Sequence, residues 1–329
     1  MLQKSASEHR CFDLPPAKFR SLPVFQNSIK ISDDKMSSYI SQWENTDPAP
    51  FVRESLLGVL DGKVGCIKES QFVSRDIAQK VEDELSPKLS PYLDVPGPTL
   101  LRVGVAQFEY QAISDDQLNQ RSSDGNEKEQ YFLETKKHEK LHENLRKVVG
   151  QNIWRTIIDK IASLLPEYDV AVASERTGEQ YFSGIFRAIN DSTPIHCDWS
   201  PYDSRTEDWI INQVTKQAVF NLYLTQVKGG KTEVHDCQWT EDAMEFRDRS
   251  SYGYLEKLVE GRKKVTIQPQ PGDLCIFNSR NMHQVFPVEP EIGEDGRSGQ
   301  QRARLTLSSF MGLIPAKSSG ERPRLIFWS

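Results

Sequence analysis

An α+β fold, a β-sandwich or barrel carrying helices on its outside, is predicted by two features of the 329-residue sequence. Helical periodicity is confined to the first half, and short apolar segments bounded by turn residues fill the second. In SQFVSRDIAQKVEDELSPKL (70–89), Phe72, Ile77, Val81 and Leu85 fall at helical spacing, with Pro87 near the end. Two more helices are expected over 132–148 and 150–165, the second with an apolar stripe of Ile153, Ile157, Ile161 and Leu164. TLLRVGVAQFEYQA (99–112) reads as a strand, and the polar stretch after it as an exposed loop. Beyond Pro166 come DVAVASE, YFSGIFRAI, QAVFNLYLTQV, KTEVHDCQW, KKVTIQPQ, GDLCIFNS, HQVFPVE and ARLTLSSFMGL, most of them closed by Gly, Pro, Asn or Asp. That is the texture of a compact β region. One helix, over 241–260, is expected to interrupt it.

The first 65 residues are rich in Pro and Ser and read as an arm packed on the core, with Phe19, Val24 and Phe25 as anchors. Residues 66–329 then form a single domain whose β core spans about 170–315. At 37% hydrophobic the chain can bury a substantial core. A net charge of −6 offers no basic footprint for nucleic acid. No apolar run reaches the roughly 18–20 residues that span a bilayer, and the start lacks the apolar stretch of a secretory signal. Cys11, Cys66, Cys197, Cys237 and Cys275 are scattered and odd in number, so reduced thiols in a cytoplasmic protein are expected.

One stretch raises a question of chemistry. STPIHCDWSPYD (192–203) sets His196 two residues from Asp198, and on an extended strand both side chains point to one face. With six histidines and 47 acidic residues in the chain, roughly one such pair arises by chance, so the pair alone says little. A metal site needs a third ligand. His283 is the natural candidate, following a turn at Pro271-Gly272-Asp273, an apolar strand 274–277 and a loop. Asp236 is a rival, but it and His235 face opposite ways on a strand. In QRARLTLSSF, Arg302, Arg304, Thr306 and Ser308 share one face, and the other face is aliphatic. Such a face suits a carboxylate ligand, which a guanidinium grips in bidentate fashion.

H-x-D, then P-G-D-L-C-I-F-N with a following His, then R-x-T on a closing strand resembles the non-haem Fe(II)/2-oxoglutarate-dependent oxygenase superfamily, over roughly 170–315. The resemblance implies a double-stranded β-helix, a cupin-like jelly roll, flanked by helices. It implies a facial triad of His196, Asp198 and His283 on Fe(II), with Arg304 and Thr306 holding the far carboxylate of 2-oxoglutarate. Arg302 stays open as that anchor, because the polar stretch between His283 and Arg304 is long for the family. O2 is implied as oxidant and ascorbate as a stimulant. Halogenating relatives lack the carboxylate and bind chloride in its place, so Asp198 disfavours halogenation.

H-C-D-W-S-P, F-N-L-Y-L and G-G-K-T-E-V are similar to the branch that oxidises free amino acids and small metabolites in specialised metabolism. Hydroxylation, desaturation and oxidative ring closure are its outcomes. Arg187, Trp199, Asp203, Asn221 and Trp239 are the candidate substrate-binding residues. Each has a plainer use: packing for the tryptophans, a turn for Asp203, the strand surface for Arg187 and the sheet for Asn221. A protein side chain as substrate, a non-catalytic jelly-roll binding protein and a zinc hydrolase are the competing readings. A monomer or homodimer with a small-molecule substrate, and neither nucleic acid nor membrane as partner, completes the expectation.

Overall fold

The computed structural model describes residues 40–93, 100–111, 127–205, 207–268, 270–290 and 302–329. Phe19, Val24 and Phe25, most of the polar loop after residue 112, and residues 291–301 lie outside these. Strands β1 (Ile67–Glu69), β2 (Ser90–Pro91), β3 (Leu100–Val103), β4 (Asp169–Val172), β5 (Ile185–Ile189), β6 (Lys216–Tyr223), β7 (Thr232–Gln238), β8 (Lys264–Ile267), β9 (Leu274–Phe277), β10 (Asn281–Val285), β11 (Leu305–Ile314) and β12 (Arg324–Trp328) form two sheets. The larger runs β1-β9-β6-β11-β5-β3-β2, with β12 paired to β11 and, in parallel, to β4. The smaller runs β10-β7-β8. Two facing sheets with helices on one outer side are the double-stranded β-helix the sequence implied.

Period-two alternation explains why the sheets close. On β11, Leu305, Leu307 and Met311 belong to an outer apolar cluster, while Phe310 points into the space between the sheets. β6 repeats this, with Phe220 and Leu222 outward and Val219 and Tyr223 inward. Helices cover the outer side: α1 (Arg53–Leu60) through Leu56, Val59 and Leu60, α2 (Arg75–Leu85) through Val81 and Leu85, and the helix Ile153–Leu164 through Ile153, Ile157 and Ile161. Fully burying a side chain such as Phe220 or Phe327 contributes roughly 2–3 kcal/mol. The last strand, β12, lies wholly within this sheet.

Three expected elements differ. The helix expected over 132–148 is two, Glu127–His138 and Leu141–Val149. The first buries Tyr131 and Phe132 in the inner cluster and the second buries Leu145 and Val149 in the outer one, which a straight rod cannot do. The strand expected over 99–112 stops at Val103, because Gly104 takes φ +111° and a 3-10 turn follows at Gln107–Tyr110. The helix expected over 241–260 is absent. Two 3-10 turns, Glu241–Phe246 and Glu256–Val259, flank an irregular loop. There the Asp248 carboxylate accepts from the Ser250 N–H at 2.8 Å and from the Ser250 and Ser251 hydroxyls, offering the backbone an alternative to helix. The chain then returns to the H-x-D segment, where Tyr254 N–H donates to Ile195 O at 2.8 Å. A side chain at Gly253 would stand 2.5 Å from Pro194 Cβ and 2.7 Å from Ile195 O, so only glycine allows this approach.

Candidate metal centre

His196 leads into the cavity from a short extended segment that pairs with β10. Its N–H donates to His283 O at 2.9 Å, and the His283 N–H returns to His196 O at 2.7 Å. Asp198 is fixed by its main chain: its N–H donates to Ser279 O at 2.8 Å, and its carbonyl accepts from Ser279 Oγ at 3.1 Å and Gln217 Nε2 at 3.0 Å. One ligand atom from each of His196, Asp198 and His283 lies within 4.8 Å of the others. His283 is buried and the other two are half-buried.

The proton positions on the imidazoles follow from their partners. His196 Nδ1 sits 2.9 Å from Pro194 O, and His283 Nδ1 sits 2.8 Å from Asn281 O. A carbonyl only accepts, so each Nδ1 carries the proton and each Nε2 turns a lone pair inward. Burial, reinforced by the neighbouring His283, pushes His196 down to about 4, so it is neutral near pH 7. The surrounding protein disfavours charge on Asp198, yet the adjoining His283, whose Nε2 lies 3.4 Å from its Oδ2, and the nearby His196 and Arg187 hold it down at about 2. Two imidazoles and a carboxylate, each imidazole fixed through its far nitrogen, fit a divalent first-row metal.

Arg304 is buried 7% exposed at the start of β11. Its Nη1 donates to Gly230 O at 3.2 Å and Thr232 Oγ1 at 3.3 Å, while its Nε is buried without a hydrogen-bond partner. Gly230, at φ +65°, clears space for it, since a Cβ there would stand 3.1 Å from Arg304 Cδ. Among the described residues no carboxylate faces this guanidinium, and an anionic co-substrate would satisfy it. Thr306 Oγ1 lies 3.0 Å from Ser308 Oγ. Arg302, the open alternative, turns away to α2, where it donates to Glu82 Oε1 at 2.5 Å and Gln79 Oε1 at 2.8 Å. The rival Asp236 is engaged elsewhere, accepting from Ser41 Oγ at 2.6 Å and Gln42 N–H at 3.0 Å.

The five substrate candidates divide. Asn221 and Arg187 lie on the inner face of the large sheet, where Asn221 Oδ1 accepts from Ser308 Oγ at 2.6 Å. Asp203 accepts the Trp199 N–H at 2.8 Å and closes the helical turn Ser200–Asp203. Trp199 lies against the Arg280 guanidinium, 4.7 Å away. Trp239 stacks on Tyr202 and donates to Tyr254 OH at 2.8 Å. Sequence reasoning missed Tyr252, whose ring meets that of His196 edge-on at 5.6 Å. The helix expected over 241–260 hid it, and Gly253 between two tyrosines was the available signal.

The fold is that of an Fe(II)- and 2-oxoglutarate-dependent oxygenase, and this cluster is one that could hold a metal ion. Residues 105–329 fit the family model described as carrier-protein-independent halogenase WelO5, and the chain belongs to that family. Leucinostatins biosynthesis cluster protein S of Purpureocillium lilacinum is 30% identical over 230 residues, 69% of this chain and 84% of that protein. The L-gamma-glutamyl-L-propargylglycine hydroxylase of Streptantibioticus cattleyicolor is 32% identical over 157 residues, 46% of this chain and 50% of that enzyme. Among solved structures, an N-substituted L-amino acid dioxygenase from Burkholderia ambifaria superposes with a TM-score of 0.48 at 16% identity, over 83% of this chain and 91% of that one. No helix among the described residues is long and apolar enough to cross a membrane.

Proposed function

We propose that this chain hydroxylates an unactivated C–H bond of a small amino-acid-like metabolite in specialised metabolism. His196, Asp198 and His283 hold Fe(II), and Arg304 with Thr306 takes the far carboxylate of 2-oxoglutarate. The observation that carries the reading is the cluster of two Nδ1-locked imidazoles and one ionised carboxylate within 4.8 Å. When bound, Fe(II) with 2-oxoglutarate and O2 supplies the oxidising power for a C–H bond. The protein residues fix geometry. Pro194 O and Asn281 O hold the imidazoles edge-in, the Ser279 contacts keep Asp198 from swinging out, and Arg304 orients an otherwise flexible dicarboxylate. Two relatives support the substrate class by name, one from a leucinostatin cluster and one a γ-glutamyl dipeptide hydroxylase.

Asp198 separates hydroxylation from the halogenation for which the family is named. A chloride would need the position its carboxylate fills, which disfavours halogenation and leaves hydroxylation, with desaturation and ring closure as the related outcomes. The protein-substrate reading drew on an acidic insert over 114–130 and a helix over 241–260 as docking surfaces; the helix is absent, and most of the insert lies outside the described residues. A cytoplasmic setting fits the four free thiols Cys66, Cys197, Cys237 and Cys275. The test is a metabolite screen with Fe(II), ascorbate and 2-oxoglutarate in the presence of chloride and bromide. A product heavier by one oxygen supports the reading, and a halogenated product overturns it.

A further inference from the structure

The oxygenase reading leaves open how the organic substrate is held, and the inner face of the large sheet bears on that. Arg102 on β3, Arg187 on β5, Thr306 on β11 and Tyr223 on β6 stand side by side in register across four strands. The two arginines are adjacent like charges, but only one is neutralised. Arg102 Nε and Nη2 donate to Glu109 Oε1 and Oε2, both at 2.7 Å, and Glu109 is buried. Arg187 makes no ion pair within 4 Å among the described residues, although its charge reaches Asp198, and its Nε is buried without a hydrogen bond. Its guanidinium lies 5.6 Å from the Phe310 ring and 5.9 Å from the Phe108 ring. Phe108 stacks on Tyr92 at 5.3 Å, and the Tyr92 hydroxyl is likewise buried without a partner.

Arg187 is half-buried, and a buried guanidinium Nε with no acceptor, beside a like charge, favours the approach of an anion. A guanidinium and a phenol O–H between aromatic rings form the donor set for a carboxylate attached to an apolar body. We infer that Arg187 and Tyr92 bind a carboxylate of the organic substrate, with Phe108 and Phe310 flanking its apolar part. The substrates are therefore free carboxylic acids, amino acids or short peptides with an unblocked carboxylate, and this inference rests on the oxygenase reading. The Arg304 guanidinium keeps its own contacts, to Gly230 and Thr232, while Arg187 stands beside Thr306 in register.

The test uses the full chain loaded with Fe(II) and 2-oxoglutarate under two readouts. The first is the visible charge-transfer band formed without O2. The second is 2-oxoglutarate turnover stimulated by leucine, N-acetyl-leucine and γ-glutamyl-leucine, each paired with its C-terminal amide. At least one acid is expected to stimulate turnover and its amide is not. Arg187→Gln is expected to keep the band while the half-saturating concentration of the acid rises roughly 10–100-fold. Arg187→Lys recovers part of that loss, and Tyr92→Phe, which leaves the ring stack in place, shows a smaller loss in the same direction. Amides as effective as acids, or a panel in which no acid stimulates, overturn the inference. So does an Arg187→Gln chain that loses the band, since Arg187 would then serve the co-substrate. A wild-type chain without the band overturns the oxygenase reading itself, and this inference with it.

Discussion

The imidazoles of His196 and His283 stand with ring centroids 4.2 Å apart, above main chains that exchange both of their hydrogen bonds. This is the hydrogen-bonded pairing of antiparallel strands, reduced to a single bridge. Neither ring can shift along the strand without breaking two short backbone bonds. Removing one imidazole therefore leaves the other in place.

His196→Ala and His283→Ala should fold, because the bridge between them is made by backbone. Each should lose the charge-transfer band with Fe(II) and 2-oxoglutarate and reduce turnover by at least 100-fold. Anaerobic absorbance spectroscopy beside circular dichroism checks both halves. A folded variant that keeps the band would show that the metal has other ligands.

Arg304→Gln should raise the half-saturating 2-oxoglutarate concentration roughly 10–100-fold, the loss expected for a buried charge-assisted pair. Arg302→Gln should leave it unchanged, since Arg302 faces Glu82 and Gln79, and cost about 0–1 kcal/mol of stability. Titrating the band with 2-oxoglutarate in both variants decides which arginine is the anchor.

His142 supplies a pH prediction away from the cluster. Its ring lies between Trp154 at 5.2 Å and Phe182 at 6.0 Å, with Nε2 3.0 Å from Ser183 O. Burial pushes it down to about 4, against an ordinary value of 6.5. Between those values the unfolded chain takes up a proton that the folded chain resists. The contribution is full above pH 6.5 and lost as pH falls toward 4, worth about 3 kcal/mol. His142→Phe keeps the stacking and removes the titration. Its melting temperature, followed from pH 7 to pH 4, should fall less steeply than that of the wild type.

What was legible in the sequence was periodic or closely spaced. The β segments after Pro166 declared themselves by alternation and turn residues. The i, i+2 spacing put His196 and Asp198 on one face, and the alternation R-x-R-x-T-x-S put Arg304 and Thr306 on another. What was not legible depended on tertiary partners. Arg302 and Arg304 occupy the same face by spacing, and only the position of α2, with Glu82 waiting, sends Arg302 outward. Arg187 was a substrate-binding candidate with the strand surface as its plainer use, and nothing local reveals that Glu109 pairs with Arg102 and not with Arg187. Tyr252 was hidden because apolar residues in 241–260 imitate a helix, while Asp248 and Gly253 make it a loop.

Asn278 Nδ2 donates to Val59 O at 3.0 Å and Leu60 O at 3.3 Å, at the end of α1, and its neighbour Ser279 grips Asp198. Helix α1 leaves the ribosome long before Asn278 does, so a finished end waits for its cap. Between Asp198 and Arg304 the ribosome needs roughly 5–20 s at ordinary elongation rates. Early in that interval the nascent chain carries only His196 and Asp198 of the cluster; His283 joins them later, and Arg304 last. The cluster is thereby completed only after most strands of both sheets have been made.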